Sequence, residues 1–288
     1  MLNLIQVAFG GVLLGGIYAL AALGLSLSFG VLRILNIAHG DFLMLGALTS
    51  YWIFSLFKIN PFLIVFIVVP IFFLAGILFE KLLIRPIAAR PPHQLAISSI
   101  LVTLGASLAI EDAASFIWGP EIKGIAYSLP SLKLGGLIIP TVRLAALGFI
   151  ALLTLGIHLF LKYSYSGRAV RAITQEREGA MLVGINIPRI SMLVFGLGSA
   201  LAAAAGVFHA TLFTISPFIG IPLTLKYLVI IILGGLGSIV GTLVGAIILG
   251  VAEAITGIWP GGDWSPGVAI VILIVILMIR PEGLFGRS

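Results

Sequence analysis

Few residues of this chain could do chemistry, since only 9% of its 288 residues are charged and none is cysteine. His39, Asp41 and Glu253 are ionisable side chains that stand inside long apolar stretches. Such groups are costly in a membrane and are functional candidates by default. The chain has no HExxH, GxSxG or clustered carboxylate motif and no GxxxxGK[ST] phosphate loop. We therefore expect no catalytic residue, no metal site and no cofactor, and an intramembrane enzyme is a poor match.

Other ionisable residues lie nearer to the ends of the apolar stretches. We expect Glu80 at the inner membrane interface, and Glu111 and Asp112 at the outer one. His158 and His209 stand inside apolar segments, where a hydrogen-bonded structural role is the more frequent one.

The class of protein follows from composition. The chain is 60% hydrophobic, its mean hydropathy is +1.25, and its apolar runs repeatedly exceed the roughly 20 residues that span a bilayer. These features predict an all-α polytopic membrane protein, with residues 1–288 as a single transmembrane domain embedded in lipid. The net charge is +6, and the Lys and Arg residues that cause it lie mostly in short loops beside the spans. The positive-inside rule explains this placement, so we expect no nucleic-acid partner.

The apolar segments predict about nine crossings with the N-terminus outside, or eight if one broken element turns back. The sequence leaves this choice open. The N-terminal stretch has no basic region before its apolar run, so it reads as a first span with no cleaved signal. The predicted spans cover residues 4–32, 42–57, 61–79, 95–118, 142–161, 190–213, a long interrupted stretch 225–255, and 268–279.

Two signals give the orientation. Ten of the sixteen Lys and Arg residues fall in residues 81–90, in residues 162–189 and in the tail with Arg280 and Arg287. If these segments are cytoplasmic, all four tryptophans lie at the opposite interface, which suits an aromatic belt. The tryptophans are Trp52, Trp118, Trp259 and Trp264.

Two of the apolar elements are interrupted, one by RILNIAHGD at 33–41 and the other by GGLGS at 234–238. Transporters built from repeated halves place broken helices at the substrate path, where half-helix dipoles face a cavity. An internal pseudo-repeat of two broken or re-entrant elements is one interpretation, and two unrelated loops or kinks are the other. The residues assigned to the path or its hinges are Asn36, His39, Gly40, Asp41, Gly234, Gly235, Gly237, Ser238 and Glu253.

The loop at residues 162–190 is rich in charged residues, although the chain as a whole has few, so the loop must face water. Residues 166–171 read as a polar lead-in, and residues 175–183 read as a short helix that stops at Gly184 before Pro188. The pattern fits either a helix that docks onto a partner or an ordinary cytoplasmic loop. The next span contains GLGSALAAAAG at 196–206, whose small residues predict a position inside the bundle.

The motifs together resemble the permease subunits of branched-chain amino acid ABC importers, and the LivH-type subunit in particular. The resemblance spans nearly the whole chain in the right order. It rests on LGGIYALAALGLSLSFGVLRILNIAHGDFLMLGA at 14–47, SGRAVRAITQEREGAMLVGIN at 166–186, SALAAAAGVF at 199–208, LGGLGSIVGTLVGAIILGVAEAI at 233–255 and RPEGLFGR at 280–287.

The resemblance implies partners: a homologous second permease, two cytoplasmic ABC ATPase subunits that bind the ATP, and a periplasmic or lipid-anchored substrate-binding protein. It implies a bacterial or archaeal plasma (inner) membrane. It also favours docking by the central loop, where the importer pattern EAA, three residues, then Gly is matched except that Gly179 replaces an Ala. The implied coupling residues are Arg168, Arg171, Glu178, Gly179, Ala180 and Gly184.

The cargo implied by the resemblance is leucine, isoleucine or valine. Relatives that import urea, short amides or other amino acids leave the substrate open, since specificity resides largely in the binding protein. A stand-alone ion-coupled secondary transporter or channel is the alternative class, and Asp41 and Glu253 are the pair of charges that it would use.

Overall fold

A computed structural model describes residues 2–88, 90–134, 137–258, 265–280 and 282–285. Arg287, Trp259 and Trp264, which entered the predicted orientation, lie outside the described residues. The helices are α1 (Leu2–Leu32), α2 (His39–Phe57), α3 (Pro61–Phe79), α4 (Pro92–Trp118), α5 (Thr141–Tyr163), α6 (Tyr165–Gln175), α7 (Arg177–Leu182), α8 (Ile187–Leu212), α9 (Gly220–Gly234), α10 (Ile239–Thr256) and α11 (Ser265–Ile279).

Seven of the described helical segments are long and apolar enough to cross a membrane, and two shorter apolar helices, Gly220–Gly234 and Gly267–Ile279, accompany them. The prediction of an all-α polytopic membrane protein is thereby confirmed. The described residues outside the helices include one small antiparallel hairpin, in which β1 (Leu132–Leu134) pairs with β2 (Leu137–Ile139). The orientation and the internal repeat stay predictions.

Helix α8 forms the centre of the bundle and packs against α1, α2 and α3. Its small residues let neighbouring backbones approach closely, as predicted for this span. A Cβ on Gly198 would lie 2.7 Å from the carbonyl oxygen of Gly24, and one on Gly206 would overlap with the carbonyl oxygen of Leu43. The polypeptide therefore uses glycine at these crossings because any side chain would force the helices apart.

Helices α1 and α10 make a second close contact of the same kind. A Cβ on Gly11 would stand 2.6 Å from the Cα of Val251, and one on Gly15 would stand 2.8 Å from the carbonyl oxygen of Ala246. Helix α1 is thus held by backbone contact to α8 on one side and to α10 on the other, which fixes the position of its inward-pointing side chains.

The connection between α4 and α5 folds back onto the bundle. The backbone of Lys123 exchanges two 2.8 Å hydrogen bonds with Ile215, and the Ile125 amide donates to the Ala210 carbonyl at 2.9 Å. This connection therefore covers the end of α8 and the loop that leads into α9.

One expected position is wrong, that of His158, whereas the membrane depth of Glu80 stays a prediction. Glu80 is only 2% exposed and begins a π-helical turn, Glu80–Ile84, in which the chain continues from α3. His158 lies on the exposed face of α5, not inside the bundle. Among the described residues, the buried Nδ1 of His209 finds no hydrogen-bond partner.

Candidate functional site

The first break, residues 33–41, folds back along α1. The Nε2 atom of His39 lies 2.9 Å from the carbonyl oxygen of Ala21, which precedes the end of α1 at Leu32 by eleven residues. At 1.5 Å per residue this distance is about 16 Å along the helix. The chain therefore returns from the end of α1 to its middle before α2 starts at His39, three residues earlier than predicted.

Threonines of two other helices form hydrogen bonds with this returning segment. Thr224 Oγ1 of α9 accepts from the Gly40 amide at 2.7 Å and lies 2.7 Å from the carbonyl oxygen of Ile37, to which it can donate. The Ile37 amide donates to Thr103 Oγ1 of α4 at 3.1 Å. Asn36 is buried in the same segment. The break is therefore an ordered, internally bonded stretch that joins α1, α2, α4 and α9.

Two carboxyl groups converge on the start of α9. A Cβ on Gly220 would overlap with Oδ1 of Asp41 and lie 3.2 Å from Oε1 of Glu111, so only glycine fits there. The Ile221 amide donates to Glu111 Oε1 at 3.3 Å. Because the residue before α9 is Ile219, which has no capping side chain, Glu111 of α4 satisfies this free helix amide instead.

Glu111 and Asp112, which are both expected at the outer interface, differ in burial. Glu111 is 7% exposed whereas Asp112 is exposed. Consecutive residues of a helix lie about 100° apart, so the two occupy different faces of α4, and Glu111 is the one that reaches the bundle interior. Its partners lie far away in the chain, so the sequence around Glu111 carries no signal for this role.

A buried ion pair joins α9 to α10. Lys226 Nζ lies 2.9 Å from Oε1 and 3.2 Å from Oε2 of Glu253. The Tyr18 hydroxyl of α1 donates to Glu253 Oε2 at 2.8 Å and accepts from Lys226 Nζ at 3.0 Å. The ammonium group also lies 4.8 Å from the centre of the Tyr18 ring. Three helices thus contribute one side chain each to a charged cluster, which we call the Tyr18–Lys226–Glu253 triad.

Sequence reasoning selected Glu253 and missed both Lys226 and Tyr18. Lys226 stands as a lone cation in the apolar segment after Pro222, and that isolation was the available signal. Tyr18 gave no signal, since a tyrosine in a glycine-rich span is ordinary.

Tyr227 connects the triad to the first break. Its ring makes edge-to-face contacts with Tyr18, at 6.3 Å between ring centres, and with His39, at 6.4 Å. The structure therefore brings the predicted residues His39 and Glu253 into one cluster. Asp41 belongs to the neighbouring group with Glu111 at the start of α9 and does not pair with Glu253.

The second break, where the sequence predicts an interruption, is a tight turn between the antiparallel helices α9 and α10. Gly235 and Gly237 have positive φ angles of 100° and 80°, and Ser238 Oγ accepts from the Gly241 amide at 3.1 Å. A Cβ on Gly234 would overlap with the backbone of Gly241. Each of the glycines is therefore required by the geometry of the turn.

This turn lies at the opposite end of α9 from Asp41. A Cβ on Gly237 would stand 3.7 Å from Gly30 of α1 and 3.9 Å from Thr174 of α6. The tail adds two backbone hydrogen bonds, from Leu284 to Leu233 at 2.9 Å and from Phe285 to Gly234 at 3.0 Å. The structure does not bring the second break to the triad, and its assignment as a hinge stays a prediction.

The polar loop between α5 and α8 contains two helices, α6 and α7, where the sequence predicted a lead-in and one helix. Ser164 Oγ caps α6 by accepting from the Gly167 amide at 2.9 Å, so residues 166–171 are helical. The Arg168 guanidinium donates to the Tyr163 carbonyl at 3.1 Å. Arg171 donates to the carbonyls of Leu161 and Lys162. Both arginines thereby satisfy carbonyls at the end of α5 and hold the corner between α5 and α6.

Helix α7 ends in a Schellman motif. The Ile185 amide donates to the Ala180 carbonyl at 3.1 Å and the Gly184 amide to the Met181 carbonyl at 3.0 Å. Gly184 has a φ of 82° with open space around it. Glu178 is exposed, Gly179 is half-buried and Ala180 is buried.

The tip of this segment presents apolar side chains to the surroundings. Met181, Leu182 and Val183 are 51%, 88% and 76% exposed. Three adjacent exposed apolar residues on a polar loop are typical of a surface that binds another protein. We call these three residues the α7 tip.

The base of the same segment contacts α1 where the first break begins. Arg177 donates to the Val31 carbonyl at 3.4 Å. Thr174 of α6 lies 3.5 Å from where a Cβ on Gly30 would stand. The α6–α7 segment is therefore continuous with α5 and α8 and also touches the end of α1.

Comparisons with known proteins identify the family of this sequence. Residues 7–277 match the family described as branched-chain amino acid transport system / permease component. The high-affinity branched-chain amino acid transport system permease protein LivH of Salmonella typhimurium is 31% identical over 99% of this chain and 96% of its own length. BraD of Pseudomonas aeruginosa, a permease protein with the same description, is 30% identical over 98% of this chain and 96% of its own length.

An archaeal relative extends the comparison. The probable branched-chain amino acid transport permease protein LivH of Methanocaldococcus jannaschii is 26% identical over 96% of this chain and 91% of its own length. The family match and the relatives all cover nearly the whole chain, and the matched residues 7–277 contain both breaks, the triad and the α6–α7 segment. The chain therefore belongs to the branched-chain amino acid transport system permease component family, as a LivH-type permease.

Proposed function

We propose that this chain is the membrane permease subunit of an ABC importer for leucine, isoleucine and valine. In this proposal it forms the translocation path together with a homologous second permease in a bacterial or archaeal plasma membrane. An external binding protein delivers the substrate. Two cytoplasmic ATPase subunits bind the ATP, and this chain holds no cofactor. The similarity to branched-chain amino acid permeases over almost the full length supports the cargo.

The single observation that carries the proposal is the α7 tip. A short helix with exposed Met181, Leu182 and Val183 has its hydrogen bonds completed by its own Schellman motif. It therefore needs no partner to fold, yet it leaves apolar surface uncovered. A cleft in a cytoplasmic ATPase is the occupant that fits this surface in an importer.

The contacts of the α6–α7 segment supply a mechanical route from that cleft to the membrane interior. A displacement of the α7 tip moves α5 and α8 directly, because the segment is continuous with both. It also acts on the end of α1 through Arg177 and Val31. The first break starts two residues later at Arg33 and returns to His39, so ATPase closure reaches the middle of the bundle.

Ion-coupled transport through Asp41 and Glu253 is less well supported. Glu253 is already paired with Lys226 at 2.9 Å, and Asp41 lies against the start of α9 beside Glu111. The two carboxyls do not form one ion site. Import of urea, short amides or other amino acids differs from the proposal in the cargo only. Uptake of each of these compounds and of leucine by the reconstituted complex distinguishes the cargoes.

The test is to purify the chain from its native membrane in mild detergent and to identify by mass spectrometry what accompanies it. We expect a stoichiometric ATPase and a second, similar permease. Leu182→Asp should release the ATPase and keep the second permease, whereas Leu182→Met should retain both. Purification of the chain alone, or only with copies of itself, would overturn the proposal.

A further inference from the structure

A cavity of about 580 Å³ opens between α1, α5, α8 and α10. This volume lies within the range of about 300–1,000 Å³ that small-molecule sites occupy in proteins. Helix α1 supplies one side of the cavity, with Gln6, Gly10, Leu13 and Ile17 following each other at the spacing of a single helix face. The cavity therefore runs along α1 and is large enough for a small molecule.

The cavity lies at the end of the bundle opposite the α6–α7 segment. Helices α1 and α5 begin beside it, and α8 and α10 end there. The α6–α7 segment instead joins the end of α5 to the start of α8. In the proposed function that segment faces the ATPase. The cavity then opens on the side from which the external binding protein delivers the substrate.

The wall of the cavity changes from polar to apolar along α1. Gln6 and Arg143 are exposed, whereas Leu13 and Ile17 are only 4% and 1% exposed. Apart from Gln6 and Arg143, the described residues of the wall are apolar or glycine. A polar mouth above an apolar interior fits a molecule that has a charged head and an aliphatic body.

Arg143 determines the charge of that head. It is the single charged residue among the described residues of the wall, and it stands in the first turn of α5. The ion pairs of the described residues are Lys123–Glu121 and Lys226–Glu253, so no described carboxylate pairs with Arg143. A guanidinium offers a planar set of donors that matches a carboxylate or a phosphate. The complementary head group is therefore an anion.

We propose that this cavity is an entry subsite for the amino acid cargo, in which Arg143 binds the carboxylate and the branched side chain lies against Leu13 and Ile17. The ammonium group stays at the exposed end beside Gln6. The proposal rests on the proposed function and adds the place where this chain first holds the cargo. A membrane lipid offers the same chemistry, an anionic head on an aliphatic body, and the position of the cavity on the delivery side favours the cargo.

The energetics of this subsite suit an entry point. An ion pair with an exposed arginine contributes little to binding because water competes for both charges. Burial of the aliphatic side chain contributes more. Binding is then weak and reversible, as passage requires, and it favours amino acids with aliphatic side chains over polar ones.

The test uses photoreactive leucine, which carries a diazirine in its side chain, on the purified whole complex without the binding protein. Labelled residues are identified by mass spectrometry after irradiation. We expect labels within residues 6–17 and at Leu212 or Phe213, which line the cavity. Excess leucine should compete, and so should 4-methylpentanoate, which keeps the carboxylate and the branched chain. The amine 3-methylbutylamine, which lacks the carboxylate, should not compete.

Substitution of Arg143 tests the charged head. Arg143→Gln should lower the labelling about threefold to fivefold, the factor that an exposed ion pair supplies, and Arg143→Lys should retain part of it. Lys58→Gln is the matched control and should label like the wild type. Lys58 is an exposed cation that follows the end of α2 and does not line the cavity.

Substitution of Gly10 tests the apolar interior. Gly10 lines the cavity, and a Cβ added to it would meet no atom within 4 Å. Gly10→Leu should therefore fill the cavity and reduce the labelling to background. Gly148→Leu is its control, since Gly148 has equally open space and does not line the cavity. Gly10→Ala keeps the test decisive if the larger residue prevents assembly.

Three results would overturn the subsite. One is a wild type without labels in these residues, and another is equal labelling of the wild type, Arg143→Gln and Gly10→Leu. The third is competition by phospholipid and not by leucine, which would make the cavity a lipid site. Uptake by the wild-type complex in proteoliposomes tests the proposed function separately. If it takes up neither leucine nor valine, the importer assignment is wrong, and if it takes up both without labelling of the cavity, only the subsite is wrong.

Discussion

The ammonium nitrogen of Lys226 lies 2.9 Å from a carboxylate oxygen of Glu253 inside the helical bundle, and the Tyr18 hydroxyl contacts both side chains. Lys226 belongs to α9 and Glu253 to α10, the two helices that the second break connects. The side chain of Glu253 is only 3% exposed. The pair therefore fixes the spacing of α9 and α10 at the level of Tyr18, and the second break closes the same two helices at their other end.

Neutralising one member of this pair should harm both transport and stability. Glu253→Gln leaves the Lys226 ammonium unpaired, and removing one partner of a buried pair costs about 3–5 kcal/mol. We expect reduced uptake in proteoliposomes, a lower thermal midpoint in detergent and continued assembly with the other subunits. Uptake at the wild-type rate would make Glu253 a structural residue only.

The double substitution Lys226→Met with Glu253→Leu separates stability from transport. Replacing both charges by apolar groups of similar size is often close to neutral for stability. The thermal midpoint should therefore recover most of the loss seen in Glu253→Gln, while uptake stays low. Recovery of uptake together with stability would mean that the charges serve packing alone.

Thr224 should be essential for the order of the first break. Thr224→Val keeps the shape of the side chain but removes the hydroxyl that bonds to Gly40 and Ile37. An unsatisfied buried backbone group costs about 1–3 kcal/mol. We expect a lower thermal midpoint of the purified permease and faster hydrogen exchange in residues 36–41. Thr224→Ser retains the hydroxyl and should behave like the wild type, and a similar loss in both variants would point to the methyl group.

Gly184 is predicted to connect ATP hydrolysis to transport. Its φ of 82° is unfavourable for a β-branched side chain, at about 1–2 kcal/mol. Gly184→Val should therefore distort the end of α7, so that hydrolysis continues while uptake falls and the permease remains in the membrane. Gly184→Asn, which tolerates the left-handed conformation, is the control. Normal uptake by Gly184→Val would sink this hypothesis.

Gly179 departs from the alanine common in importer docking loops, and alanine should be accepted there. A Cβ at this position would stand 3.2 Å from Cγ of Glu176, a side chain that can move. Gly in a helix is about 1 kcal/mol less favourable than Ala. Gly179→Ala should therefore slow proteolysis of the loop without reducing uptake. Ala180→Gly, at a buried position, should have the opposite effect on proteolysis.

Much of the fold could be predicted because long apolar runs specify spans directly. The starts and ends of α3, α8 and α10 lie within a few residues of their predicted positions, and the interruption predicted at GGLGS is the connection between α9 and α10. The small residues of α8 also predicted its central place. Each of these features depends on residues that lie close together in the sequence.

The site could be predicted only in part, because its contacts are long-range. His39, Asp41 and Glu253 were selected as costly intramembrane groups, but nothing near Glu253 in the chain indicates that Lys226 and Tyr18 are its partners. The same holds for Glu111, whose role depends on the amide of Ile221, 110 residues away. Spacing in the sequence cannot reveal that the first break returns along α1, since that course depends on Ala21 and Thr224.

The most direct test of the central claim is the energy source of uptake by the whole complex reconstituted in proteoliposomes. The account predicts leucine uptake that requires ATP and the external binding protein and that does not respond to an imposed proton or sodium gradient. Uptake driven by such a gradient in the absence of ATP would contradict it.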